Sequence, residues 1–267
     1  MITTNVQDFI KSLDIREGQT QRVSCPICGG YNTFTVTRQA GKVLYNCYKA
    51  SCNVKGNTKV RRSMAYIRDV LDGKDAYTNP SREHKPFELP TTLTLPINSG
   101  SCKNYIEDMN IQTSIDAGYT YVLYDIKEHR CVFLVTDEQK TIIGAVGRAL
   151  RKDTIPKWKR YDKRNDLMFV CGPKQGIAVV VEDCASACTV FAAGYTGVAL
   201  LGTSLTDYHI PQLRSFDKVI IALDPDASKK AIKMQKQLDA YVPTEVMFLT
   251  DDLKYFSPSI VRSLITK

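Results

Sequence analysis

The apolar positions of the chain change period along its length. In the first sixty residues, "TFTVTR" and "KVLYN" place apolar side chains at alternate positions, which predicts the two strands of a hairpin. From Tyr119 to Arg151 the alternation returns in "YTYVLYDIKEHRCVFLVTDEQKTIIGAVGRALR", where "DIKEHR" and "TDEQKT" read as turns between strands. From Ile177 the apolar runs become continuous. "IAVVVE" predicts a buried strand, "CASACTVFAAG" a small-residue helix closed by Gly194, and "GVALLG" a second strand. "LTDYHIPQLRSF" predicts a helix, "KVIIALD" a third strand, "ASKKAIKMQKQLDAY" an amphipathic helix and "EVMFLT" a fourth strand. Continuous apolar strands alternating with helices predict a largely parallel sheet covered on both faces.

Between these regions, residues 72–97 are rich in proline and polar residues and show no period, which marks a linker. The expected organisation is a cysteine-bearing β unit over 1–60, a linker over 61–97, a small β-rich subdomain over 98–172 and an α/β sheet over 173–267. The whole is then a mixed α+β chain. No apolar run approaches the length of a bilayer, so no membrane is expected as a partner. The start, "MITTNVQDFIKSLD", has neither the basic lead nor the long apolar stretch of a secretory signal. A cytoplasmic, reducing location is therefore expected. There, nine cysteines argue for metal binding or buried thiols over a disulfide framework.

Net charge is +8 and unevenly spread. Arg148 to Arg164 holds eight basic and two acidic residues. Clustered positive charge is the footprint of a polyanion partner, or else a solvated basic face.

Cys25 and Cys28 form a Cys-x-x-Cys knuckle followed by two glycines, and Cys47 and Cys52 form a wider pair beyond the hairpin. Two such pairs can place four thiolates tetrahedrally, which suits a structural zinc ion. The remaining five cysteines show no ligand spacing, and burial explains them.

Three predicted strands end in acid. "IAVVVE" ends at Glu182 with Asp183 next, "KVIIAL" runs into Asp224, Pro225 and Asp226, and "EVMFLT" leads to Asp251 and Asp252. Functional groups collect at the carboxyl ends of parallel strands. Carboxylates from three of them make a hard, oxygen-rich site suited to magnesium or manganese. Taken singly, Asp183 and Asp226 each precede a helix and are equally explained as caps.

These stretches resemble a known family. "VVVED", "VALLGTS" and "VIIALDPDASKKA" are similar to the TOPRIM domain of primases, topoisomerases and some nucleases. "TIIGAVGRALRKDTIPKWKRYDKRNDLMFVCG" resembles the segment that precedes TOPRIM in DnaG-type and phage primases, and "YNCYKASC" their zinc-binding domain. The resemblance implies a Rossmann-like TOPRIM sheet at 173–267, preceded by a primase-specific β-rich subdomain and an N-terminal, DNA-binding zinc ribbon. It implies a DNA primase, closest to the phage branch, that makes short RNA primers from ribonucleoside triphosphates on a single-stranded DNA template. Carried over by residue, Glu182 is a general acid/base or metal ligand. Asp224 and Asp226 are the metal-holding DxD pair, and Asp252 approximates the later acidic position. Arg148, Lys157, Lys159 and Arg160 fall in or near the basic motifs expected to contact nucleotide phosphates or template. Trp158 among them is a base-stacking candidate or a hydrophobic anchor. The sequence departs from the family pattern at Asp183, where many primases have glycine, and at Leu253, where proline often follows the acid. No P-loop text occurs, so a separate replicative helicase is the expected partner. A TOPRIM nuclease and a non-catalytic DNA-binding protein are the alternatives.

Overall fold

The computed structural model describes residues 5–13, 15, 19–39, 42–59, 86–162, 164, 166–202, 205, 206 and 208–266. The expected linker therefore lies largely outside the described residues. The chain divides into two compact units, one around the N-terminal sheet and one that holds two five-stranded sheets.

In the first unit a short helix α1 (Val6–Ser12) precedes β1 (Thr20–Val23), β2 (Phe34–Gln39), β3 (Lys42–Cys47) and β4 (Lys55–Lys59). These strands form one antiparallel sheet in sequence order. The hairpin read from "TFTVTR" and "KVLYN" is its centre, with Phe34 opposite Cys47. The flanking strands carried too few alternating apolar residues to be seen in the sequence: "TQRV" is nearly all exposed and "KGNTK" is polar. Phe34, Val36 and Val43 make a small core with Ile10 and Ile15.

The second unit begins with β5 (Leu93–Thr94), α2 (Gly100–Asp108) and α3 (Gln112–Asp116). β6 (Val122–Asp125), β7 (Arg130–Thr136), β8 (Ile142–Ala149) and β9 (Trp158–Arg160) follow. With β5 they form an antiparallel sheet in sequence order, joined by the turns expected between them. Arg130 is almost wholly buried there. Its guanidinium donates to Glu128 at 3.1 Å, to the Pro156 carbonyl at 2.8 Å and to the Gly147 carbonyl at 3.4 Å. It thereby pins the basic loop before β9 to the sheet.

The other sheet comprises β10 (Phe169–Cys171), β11 (Ile177–Val181), β12 (Thr196–Ala199), β13 (Lys218–Ile221) and β14 (Thr244–Val246). Their order is β10-β12-β11-β13-β14, parallel except for β10. β10 precedes residue 173 and yet belongs to this sheet. The helices are α4 (Cys184–Ala192), α5 (Ile210–Leu213), α6 (Ser228–Leu238) and α7 (Pro258–Ile265). The helix expected over "LTDYHIPQLRSF" is confined to α5, and Pro211 lies at its start, where a missing N–H costs nothing. α4 ends at Gly194, whose φ of +94° needs no Cβ. One large core joins both sheets of this unit, with Phe133 of β7 edge-on to Phe169 of β10 at 5.7 Å. The architecture is mixed α+β, a β-rich subdomain followed by a mostly parallel sheet that resembles TOPRIM.

Candidate functional site

The cysteine site is built at one end of the first sheet. β2 and β3 bring Cys47 under the knuckle, and the Cys25–Cys28 turn closes with Gly29 N donating to the Cys25 carbonyl at 2.9 Å. Gly29 has a φ of +63°, a turn that a side chain would strain. The four sulfurs lie within 4.8 Å of one another, with Cys25–Cys52 at 3.9 Å and Cys28–Cys47 at 3.8 Å. Tetrahedral zinc with Zn–S bonds of about 2.3 Å requires sulfur–sulfur edges of about 3.8 Å. All four cysteines are free thiols. The Thr33 hydroxyl, with help from neighbouring backbone and sulfur, holds the Cys47 thiol down to about 6. At Cys52 the Val54 backbone N–H favours thiolate, but burial and the three other sulfurs push the thiol up to about 12. Four crowded thiols of this kind fit a dication that would let all ionise. The surface around the knuckles holds a feature that the sequence reading passed over. Tyr31 and Tyr48 are 83% and 64% exposed, and the Arg22 guanidinium lies 5.7 Å from the Tyr48 ring centroid.

The acidic site lies at the carboxyl edge of the parallel sheet. β11 is buried along its length and delivers Glu182 to the surface, 32% exposed at its side chain. β13 extends by one ladder bond, Ala222 N to the Val180 carbonyl at 2.8 Å, before Asp224. Pro225 then starts a 3-10 turn, Pro225–Ala227, that carries Asp226. The third acidic segment is not a strand end. β14 stops at Val246, and Asp251 and Asp252 sit five and six residues on, before a 3-10 turn Leu253–Tyr255. Glu182 is pushed up from the ordinary carboxylate range by burial first, then by Asp224, Asp226 and Asp183, against Lys230. Lys230 Nζ stands 3.9 Å from it. Burial likewise pushes Asp224 up, with Asp183 and Asp226 adding to it and Lys254 and Lys157 opposing.

The two readings left open for the helix-preceding acids separate here. Asp183 caps α4, accepting from Ser186 N at 2.9 Å. Asp226 lies inside the 3-10 turn, and α6 starts without a side-chain cap. Asp252 also has protein partners: Ser186 Oγ donates to it at 2.7 Å, and Lys254 pairs with it. Lys254, which the sequence reading missed, is 3% exposed and also donates to Asp183 at 2.9 Å. Nothing in local pattern marks it, because its partner Asp183 lies 71 positions earlier in the chain.

The basic residues divide in the same way. Arg148 on β8 lies opposite Trp158 on β9, its guanidinium 5.6 Å from the indole ring. Arg148 Nε and Nη1 are buried and without hydrogen-bond partners, as is the Tyr105 hydroxyl. Arg148 and Asp183 both act on that hydroxyl, so these groups share one neighbourhood. Lys157 is held below the ordinary lysine value by partial desolvation and by Arg148 and Lys254, while Asp183 and Asp224 oppose the shift. Lys157 thus lies within charge reach of both Arg148 and the acidic edge. Lys159 instead pairs with Glu128, and Arg160 with Asp162 and the carbonyls of Arg164 and Leu201. Trp158 packs on Phe133 at 6.0 Å, which makes it an anchor of the core.

Among the described residues, only the four cysteines bring three or more metal-ligating atoms within 4.8 Å of one another. Glu182, Asp224 and Asp226 are more widely set. Magnesium keeps several waters and needs only one or two direct carboxylates, so a spaced set of hard oxygens fits such an ion.

No protein-family model matches the chain. A DNA primase of Campylobacter jejuni is 31% identical over 110 residues, which are 36% of this chain and 18% of that protein. The structure of the DnaG primase catalytic domain bound to ssDNA superposes with a TM-score of 0.46 at 21% identity, over 63% of this chain and 59% of that one. The Aquifex aeolicus primase, with zinc-binding and RNA polymerase domains, gives 0.49 at 18% identity, over 98% and 82% of the two chains.

Proposed function

We propose that the chain is a TOPRIM nucleotidyltransferase of primase type, which builds short RNA on single-stranded DNA from ribonucleoside triphosphates. The observation that carries this reading is the meeting of two unlike groups in one unit. Glu182, Asp224 and Asp226 stand at one sheet edge, and Lys157 lies within charge reach of Asp224 and of Arg148, two of whose guanidinium nitrogens have no hydrogen-bond partner among the described residues. That pairing suits a ligand that is itself a polyanion carrying a divalent cation, as a nucleoside triphosphate is. The sequence similarity to a primase supports it, as do the motifs in "VVVED" and "VIIALDPDASKKA".

In this reading Arg148 and Lys157 bind phosphate oxygens, in a partly desolvated setting where each contact is worth more than in water. Glu182, with its raised proton affinity, takes the proton from the attacking 3′-hydroxyl as the α-phosphate bond forms and pyrophosphate leaves. Asp224 and Asp226, on a turn stiffened by Pro225, would hold magnesium or manganese together with Glu182. A divalent ion bound there supplies charge against the phosphates. At the ribbon, Cys25, Cys28, Cys47 and Cys52 would hold zinc, and Tyr31, Tyr48 and Arg22 offer stacking and charge to the single-stranded template. A separate helicase would open the duplex, and the setting would be cytoplasmic.

The test is incubation of the full chain with mixed-sequence single-stranded DNA, four ribonucleotides and magnesium or manganese, with Glu182→Gln alongside. Short RNA from the wild type alone is expected. Nicked plasmid with no RNA product would replace this reading with a nuclease.

A further inference from the structure

Five of the carboxylates at the acidic edge fall into two sets. Among the described residues, no side-chain hydrogen bond reaches Glu182, Asp224 or Asp226, and Lys230 Nζ stands 3.9 Å from Glu182. Asp183 and Asp252 are closed. Asp183 accepts Ser186 N on Oδ1 and Lys254 Nζ on Oδ2, both at 2.9 Å. Asp252 accepts Ser186 Oγ on Oδ1 at 2.7 Å and pairs through Oδ2 with the same Lys254. The Lys254 side chain is 2% exposed, and its ammonium also lies 5.0 Å from the Tyr255 ring centroid.

A buried ammonium where two carboxylate oxygens converge occupies the place that a second metal ion would need. We propose that Lys254 is a resident counter-cation: it neutralises Asp183 and Asp252, keeps Asp252 out of metal binding, and limits the site to one divalent ion at Glu182, Asp224 and Asp226. The proposal rests on the primase-type reading only in taking the open set as the metal edge. Three features of the chain agree with it. A lysine is a fixed single charge that cannot exchange with solvent ions. Its two partners are the acid after Glu182, where many primases have glycine, and the acid of the third segment. Ser186 bridges the same two acids, so the closed pair is held from both sides.

The test counts manganese ions bound to the full chain by the free-ion signal in electron paramagnetic resonance. One ion is expected for the wild type, one for Asp252→Asn and none for Asp224→Asn. Lys254→Met is expected to bind two, and Lys254→Met with Asp252→Asn to return to one. Loss of the wild-type ion in Asp252→Asn, two ions in the wild type, or a folded Lys254→Met that gains none would each overturn the proposal. If Lys254→Met does not fold, the Asp252→Asn arm decides alone. A wild type that binds no manganese, with one ion gained in Lys254→Met and lost again with Asp252→Asn, would sink the metal edge of the primase-type reading and leave the role of Lys254 standing.

Discussion

Gly197→Ala gives the sharpest measure of how the acidic edge is held. Gly197 lies on β12, between β10 and β11, and α4 crosses it. A Cβ there would sit 2.5 Å from Ala187 Cα, 2.6 Å from its carbonyl carbon and closer still to its oxygen. Carbon atoms rest at about 3.5–4.0 Å, so α4 and β12 must part by about 1 Å. Every atom met is backbone, so no rotamer change relieves the clash, and both elements are buried. The cost belongs at the upper end for overpacking, about 3 kcal/mol. For a protein of this size that is a fall in Tm of roughly 6–12 °C. The assay is thermal and urea unfolding of wild type, Gly197→Ala and Gly100→Ala, the last because a Cβ at Gly100 meets nothing within 4 Å. Since Glu182 stands between β11, the neighbour of β12, and the cap of α4, Gly197→Ala should also weaken manganese binding. An unchanged Tm in Gly197→Ala would refute the close crossing, and with it the account of what positions Asp183.

Zinc chelation or Cys28→Ser should strip zinc, read by a metallochromic dye. It should also expose the amides of β1–β4 to hydrogen exchange, since the core of that sheet is too small to hold alone. Asp224→Asn should raise Tm at neutral pH without divalent ions. The folded state raises the proton affinity of Asp224, so its contribution to stability is present at low pH and lost as pH rises through the raised value. The gain in Asp224→Asn should therefore shrink on acidification towards the ordinary carboxylate range, and unfolding scans across pH will show whether it does. Arg130→Met should cost about 3 kcal/mol in urea unfolding, because it takes a buried donor from the Gly147 and Pro156 carbonyls. It should also speed amide exchange in the loop before β9, which Arg130 holds through the Pro156 carbonyl.

What was legible in the sequence was local. Continuous runs such as "IAVVV" announce buried strands, and a Cys-x-x-Cys with two glycines announces a knuckle. Glu182, Asp224 and Asp226 follow from strands that end in acid. Partners distant in the chain were not legible. Lys159 and Arg160 read as free cations beside Lys157, and only the folded sheet shows Glu128 and Asp162 beside them. Asp252 read as one acid among equals until Lys254 and Ser186 closed around it. α2 and α3 went unread because their apolar residues are few and their lengths short, as in "GSCKNYIED", which buries only Cys102 and Ile106, and α7 because it is only eight residues long.

The same helix that bears Asp183 is fastened at its other end by α7, where Arg262 Nε donates to the Ala193 carbonyl at 2.9 Å and Val261 is fully buried. Lys254 fastens the first end and Arg262 the second, and both follow Glu182 and Asp224 in the chain. Glu182 and Asp224 are made long before either clamp exists. A nascent chain that has passed Asp226 but not reached Arg262 therefore carries the acids without the second clamp of the helix beside them.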